Sequence, residues 1–187
     1  MGFLHEIDNL NGGNAYDMTV NSYGIFMAIV DGGQVKLWKN GVVTDVYGSV
    51  GVFDRFEDFY VDNNDVYFLV NEEKSVLSSK VKYWKNGVTH YLSSGQNVYS
   101  DSIFVFNGDV YVEGLRDGKP VYWVNGKLKT ISTEKRNEYV YGMTVFKGDV
   151  YCAGIRDGYF KLWKNGNTMN VPKTGVYCTP NDIVVVE

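Results

Sequence analysis

Every tryptophan of this chain falls in one four-residue phrase: Trp38-Lys39-Asn40-Gly41, Trp84-Lys85-Asn86-Gly87, Trp123-Val124-Asn125-Gly126 and Trp163-Lys164-Asn165-Gly166. The tryptophans stand 46, 39 and 40 residues apart. Four copies of a rare, large side chain in one register mean an internal repeat. Any fold must therefore give each unit the same seat for an indole and the same turn after it.

Aligned on the Trp, each unit resolves into four short segments. Segment A is apolar: Met18-Thr19-Val20, Phe59-Tyr60-Val61, Ile103-Phe104-Val105 and Met143-Thr144-Val145. A turn follows, as Asn63-Asn64-Asp65, Asn107-Gly108-Asp109 and Lys147-Gly148-Asp149. Segment B is apolar on consecutive residues: Ile25 to Ala28, Val66 to Leu69, Val110 to Val112 and Val150 to Ala153. Such a run suits a strand covered on both faces. It ends in Asp31-Gly32-Gly33, Asp117-Gly118 or Asp157-Gly158, while the second unit carries a polar stretch, read as a loop, from Asn71 to Lys80. Segment C leads into the Trp. The Asn-Gly after it is a strong signal for a two-residue type I′ hairpin. Segment D, as in Val42 to Val46 and Val88 to Leu92, is more polar and fits an outer edge strand.

Nothing in the chain has a sustained helical period. The pattern predicts an all-β fold, a β-propeller of four-stranded blades, because repeats of about 40–45 residues built from short strands have the size of one blade. The chain reads as one domain over 1–187, with units at about 16–46, 57–92, 101–131 and 141–171. Residues 3–7 align with segment D and 182–186 with segment A, so the two termini are expected to share a partial fifth blade. An abbreviated fifth blade, a cut from a longer propeller, completion by another domain or chain, and a four-bladed ring with an extra strand all remain open.

The aromatic-Trp-Lys-Asn-Gly phrase, with Asp-Val-Tyr opening segment B, resembles a family of bacterial tandem-repeat proteins. The resemblance runs from Tyr16 to Val186, departing at Val124, where Lys is expected, and at Ile25-Phe26. It implies a propeller that is often exported or lipid-anchored, and it implies no catalytic residues.

A net charge of −4 gives no basic footprint for nucleic acid. No apolar run approaches a membrane span, and the first residues do not read as a signal peptide. If the protein is exported, its targeting segment is expected outside this chain. Cys152 falls where other units carry Met27, Phe68 and Val112, and Cys178 lies in a loop beyond the fourth unit, so both read as free thiols, with a bridge between them as the alternative.

The only histidines, His5 and His90, share one position of segment D with Thr44, Lys129 and Met169, which predicts a solvent-facing rim position. They lack companions at metal-ligand spacing, so no metal and no cofactor is implied. Asp65, Asp109 and Asp149 end the A–B turns, where they are expected to bond local backbone. Asp17, Asp58 and Asp182 precede segment A at a position shared with Ser102 and Gly142, near the mouth of a central channel. Glu113 breaks its local rule, since its counterparts are Ala28, Leu69 and Ala153. A carboxylate there must be paired, protonated or turned into the channel.

The register of the Trp residues predicts packing between blades rather than sugar stacking. The D–A loops are the candidate recognition surface, carrying Tyr47, Phe53, Tyr99, Tyr139, Tyr141 and Tyr177 among small polar residues. Arg116 and Arg156, equivalent in successive units, are expected to add anion contacts on that face. The expected function is a non-catalytic recognition or scaffold module that binds a protein or glycan. A propeller enzyme acting on carbohydrate is the alternative, and it requires Glu113 to face a channel-mouth Asp.

Overall fold

The computed structural model describes residues 13–31, 34–47, 54–75, 78–95, 97–132, 138–171, 180 and 183–185. They form four antiparallel four-stranded meanders and no helix. The first sheet is β1 (Asn14–Asn21), β2 (Gly24–Asp31), β3 (Gln34–Lys39) and β4 (Val42–Tyr47). The second is β5 (Asp54–Asp62), β6 (Asp65–Ser75), β7 (Ser78–Lys85) and β8 (Val88–Gly95). The third is β9 (Val98–Phe106), β10 (Asp109–Arg116), β11 (Lys119–Val124) and β12 (Lys127–Thr130). The fourth is β13 (Glu138–Phe146), β14 (Asp149–Arg156), β15 (Tyr159–Lys164) and β16 (Asn167–Thr168). Segments A, B, C and D are thus four neighbouring strands in every unit.

The repeated phrase explains the hairpins. Asn and Gly both take positive φ in each copy, from 49° and 93° at Asn40-Gly41 to 50° and 79° at Asn165-Gly166, as a type I′ turn requires. The Asn side chain then does a second job. Its Oδ1 accepts from the first amide of the segment B strand: Ile25 at 2.8 Å, Val66 at 3.0 Å, Val110 at 2.9 Å and Val150 at 2.8 Å. One residue thereby ties the C–D turn to the A–B turn.

The turn aspartates differ from expectation. Asp65, Asp109 and Asp149 accept from the Asn86, Asn125 and Asn165 side chains at 2.6–2.7 Å rather than from local backbone. Lys85 and Lys164 reach Asp65 and Asp149 at 2.8 and 2.7 Å and lie over the Tyr67 and Tyr151 rings. The link between Asp-Val-Tyr and Trp-Lys-Asn-Gly is therefore a physical contact. Val124 removes the lysine from it in the third unit alone.

Consecutive sheets pack face to face. Phe26, Phe59 and Phe68 fill the space between the first and second sheets, and Tyr67, Leu69, Ile103 and Trp123 that between the second and third. Tyr111, Met143, Cys152 and Trp163 fill that between the third and fourth. Each later Trp faces the sheet before it, as packing predicts. Trp123 and Trp163 are buried, whereas Trp84 is only half-buried against Phe68, at 5.7 Å between rings. Trp38 is also buried, although it sits on the face of the first sheet turned away from the second, in register with Met27 and Met18. On that face Met18 and Val20 are 56% and 64% exposed. No closed ring is detected among the described residues.

Three further expectations need correction. The polar stretch 71–80 is mostly strand: β6 runs on to Ser75 and β7 starts at Ser78, the ladder pairing Asn71 with Val81, Glu72 with Lys80 and Glu73 with Ser79, and Lys82 reaches Glu72 at 2.8 Å. His90 is half-buried and stacks on Tyr83 at 4.7 Å, so its position is not simply solvent-facing. Residues 183–185 are not in a strand. Residues 3–7, 182 and 186, with Phe53, His5, Tyr177 and Cys178, lie outside the described residues.

Candidate functional site

The inner strand of every sheet carries one bulge at the same place. Pairing skips Tyr16 in β1, Glu57 in β5, Asp101 in β9 and Tyr141 in β13. A bulge leaves one residue unpaired and re-aims its side chain. The strand then continues two or three residues past the break. Tyr99, Tyr139 and Tyr141 consequently belong to β9 and β13 and not to the D–A loops, where sequence alternation alone had put them.

The residue just after each bulge is the polar position inferred for the channel mouth: Asp17, Asp58, Ser102 and Gly142. Their cross-strand partners are Ala28, Leu69, Glu113 and Ala153. The anomalous acid and the polar position are thus direct neighbours in the third sheet. In the second sheet this position is structural. Asp58 Oδ2 accepts from the Ile103 amide and Oδ1 from the Phe59 amide, both at 2.8 Å, stitching two sheets together. Asp17 accepts from the Met18 amide at 2.7 Å.

Glu113 is 3% exposed. Among the described residues it accepts one hydrogen bond, from Ser102 Oγ at 3.4 Å. Burial pushes its carboxyl up to about 7, and the nearby Asp101 charge adds to the rise. Asp101 is exposed at the rim, yet partial desolvation of its carboxyl by the surrounding protein raises it too, with the Arg55 guanidinium as its compensating charge. Cys152 is a free thiol held well above its ordinary value by burial and by Glu113 beside it, and so is inert as a nucleophile.

Glu113 opens onto a cleft of about 420 Å³ between the third and fourth sheets. Asp101, Ser102, Tyr139 and Tyr141 line it, with Leu115 and Val140 as its apolar wall. Tyr139 and Tyr141 are 49% and 42% exposed. Close backbone approach shapes the rim: a Cβ on Gly114 would meet the Tyr99 carbonyl oxygen at 2.0 Å, and one on Gly154 that of Tyr139 at 2.0 Å. Glycine at both places lets the two bulges form.

The remaining site residues divide. Tyr99 is half-buried opposite Leu115, one strand from the cleft. Arg116 is exposed at the end of β10, with Asp117 at 4.0 Å. Arg156 is already engaged: it pairs with the buried Glu138, donates to Ser132 and Thr168 at 3.4 Å and lies over Trp163. Sequence reasoning missed Asp101, whose bulge has no signature, and Asn71. The buried Asn71 amide donates to Ser100 O at 2.9 Å and to Glu57 Oε1 at 2.7 Å, and its Oδ1 accepts from the Ser100 amide at 3.0 Å. Among the described residues no cluster of three His, Cys, Asp or Glu could hold a metal ion, and no helix is long and apolar enough to cross a membrane.

No family model matches the chain, and no curated protein does. Among solved structures it is similar to a Pyrococcus horikoshii acylaminoacyl peptidase, with 14% identity and a TM-score of 0.58. That match covers 88% of this chain but 28% of the peptidase, so the chain spans under a third of that enzyme. It is also similar to the computationally designed Ika4 protein, at 13% identity and a TM-score of 0.48, over 77% of this chain and 88% of that one. The peptidase match is a likeness of fold alone, that of an all-β chain of four-stranded antiparallel sheets.

Proposed function

We propose that this chain is a non-catalytic, propeller-type recognition or scaffold module that binds a protein or glycan through the face bearing the cleft. One contrast carries the reading. The residues copied from unit to unit, such as Asn125 and Asn165 with Asp109 and Asp149, are bonded to one another in hairpins on one face. On the other face, unlike residues from two sheets converge on a cleft with two half-exposed tyrosines. Rigid aromatics beside a few polar groups are the make-up of recognition sites. Tyr99 and Arg116 extend that face, and Tyr177 is assigned to it from the sequence. The test is a glycan-array and pull-down screen on the purified chain. Binding lost in Tyr139→Ser with Tyr141→Ser, and kept in Lys39→Ser with Lys164→Ser, supports the assignment; the reverse pattern overturns it.

The carbohydrate-enzyme reading has one observation in its favour. Glu113, raised to about 7, is still about half protonated at neutral pH and shares its cleft with Asp101, as an acid and a second carboxylate would. Release of sugar from a chromogenic glycoside panel, abolished by Glu113→Gln, would promote it over the first reading.

A ring completed by the chain termini or by another domain or chain is part of the proposal. The exposed Met18 and Val20 beside Trp38 support it, since such a face is normally covered. Deleting residues 1–8 should then lower stability well beyond the loss of a frayed tail, and sedimentation should reveal any self-association. The repeat phrase supports membership of the bacterial tandem-repeat family and an exported or surface location, testable by protease accessibility on intact cells.

A further inference from the structure

The chemistry of the cleft narrows what it can hold, and this inference rests on the recognition reading above. Two carboxylates, Glu113 and Asp101, line one cleft, and no described lining residue is cationic. Glu113 is buried and has only the long Ser102 hydrogen bond, so one side of its carboxyl faces the cleft without a partner among the described residues. Arg55 acts on Asp101 from the second sheet, but its guanidinium already pairs with Glu57. The groups around Glu113 on the other packed strands offer no positive charge: the Cys152 thiol, the Tyr122 phenol opposite it, and the Tyr139 and Tyr141 phenols.

A sugar would offer neutral hydroxyls and leave the repulsion between the two acids in place. A metal ion would find too few ligands of the right type. An organic cation meets both needs. Its N–H groups satisfy the carboxylates, its charge relieves their repulsion, and tyrosine rings attract it further. An alkyl stem fits the Leu115 and Val140 wall. We propose that this cleft binds an alkylammonium group, either a free amine or the side chain of a lysine on a protein partner, with Glu113 and Asp101 as its counter-charges and Tyr139 and Tyr141 as its aromatic walls.

The test is a calorimetric and amide-NMR titration of the whole chain with n-butylammonium, and with n-butanol as the neutral control, at pH 6 and pH 8. Butylammonium should bind and butanol should not. Affinity should rise by nearly tenfold from pH 6 to pH 8 as Glu113 ionises, since only the carboxylate attracts the cation. Glu113→Gln, of the same shape, should lose about tenfold or more at pH 8 and lose the pH dependence. Asp101→Asn at the exposed rim should keep that dependence and lose less. A lysine-containing peptide that binds much more tightly than butylammonium identifies a protein partner as the source; equal binding identifies a small amine. Equal binding of butanol and butylammonium, or unchanged binding in Glu113→Gln, overturns the proposal. Capture of a neutral glycan that needs Tyr139 and Tyr141, with no amine binding, overturns it too, while leaving the recognition reading intact.

Discussion

Glu113 stands directly across the sheet from Ser102, whose hydroxyl donates to its carboxylate at 3.4 Å, the one hydrogen bond that acid accepts among the described residues. Burial makes Glu113 costly to the fold once it ionises, and the Ser102 hydroxyl offsets only part of that cost. Its folded value is raised from 4.5 to about 7, so the folded state binds this proton more tightly than the unfolded state does. The resulting stabilisation is fully present below pH 4.5, falls as pH rises and is lost by about pH 7. That shift corresponds to on the order of 3 kcal/mol. Urea denaturation of wild type and Glu113→Gln from pH 4 to pH 8 should show the variant lacking this loss.

The clasp between the second and third sheets should be the most sensitive polar point of the fold. Asn71→Ala leaves the buried Ser100 amide and carbonyl without their partners. Unfolding free energy should drop by about 2–4 kcal/mol. A change below about 0.5 kcal/mol would mean that water replaces the amide.

Within the repeated phrase, asparagine should matter more than lysine. Asn165 Oδ1 caps the Val150 amide, while Lys164 and Asp149 form an exposed pair. Asn165→Ala should cost about 1–2 kcal/mol and Lys164→Ala distinctly less, because water screens an exposed pair. Parallel thermal melts decide the order. The third unit already does without the lysine at Val124.

Burial ranks the tryptophans. Trp163→Ala removes a buried indole between the third and fourth sheets and should cost about 3–5 kcal/mol. Trp84→Ala should cost distinctly less, because that ring is half-buried. Equal costs would mean that more covers Trp84 than the second sheet and its neighbour.

The sequence disclosed what recurs. Asn-Gly fixes its own dihedrals, so hairpins and strand order follow from local chemistry at Asn40, Asn86, Asn125 and Asn165. The alignment that set Glu113 against Ala28, Leu69 and Ala153 is the observed register. What stayed hidden has no local signature. The bulged residues Tyr16, Glu57, Asp101 and Tyr141 share a backbone role but no one residue type, two being tyrosines and two acids, so a broken alternation there looked like the end of a strand. Asn71 sits where other units carry Val30, Leu115 and Ile155, and its partner Ser100 is 29 residues away. Arg156 looked like the twin of Arg116 until tertiary packing set Glu138 against it.

The most direct measurement is a carbon-13 titration of the side-chain carboxyls, with Glu113 assigned from the signal missing in Glu113→Gln. Glu113 should titrate with a midpoint of about 7, and its midpoint should fall when n-butylammonium is added. A midpoint near 4.5, unmoved by the amine, would mean that Glu113 is solvated like any surface acid and that no built cleft lies beside it.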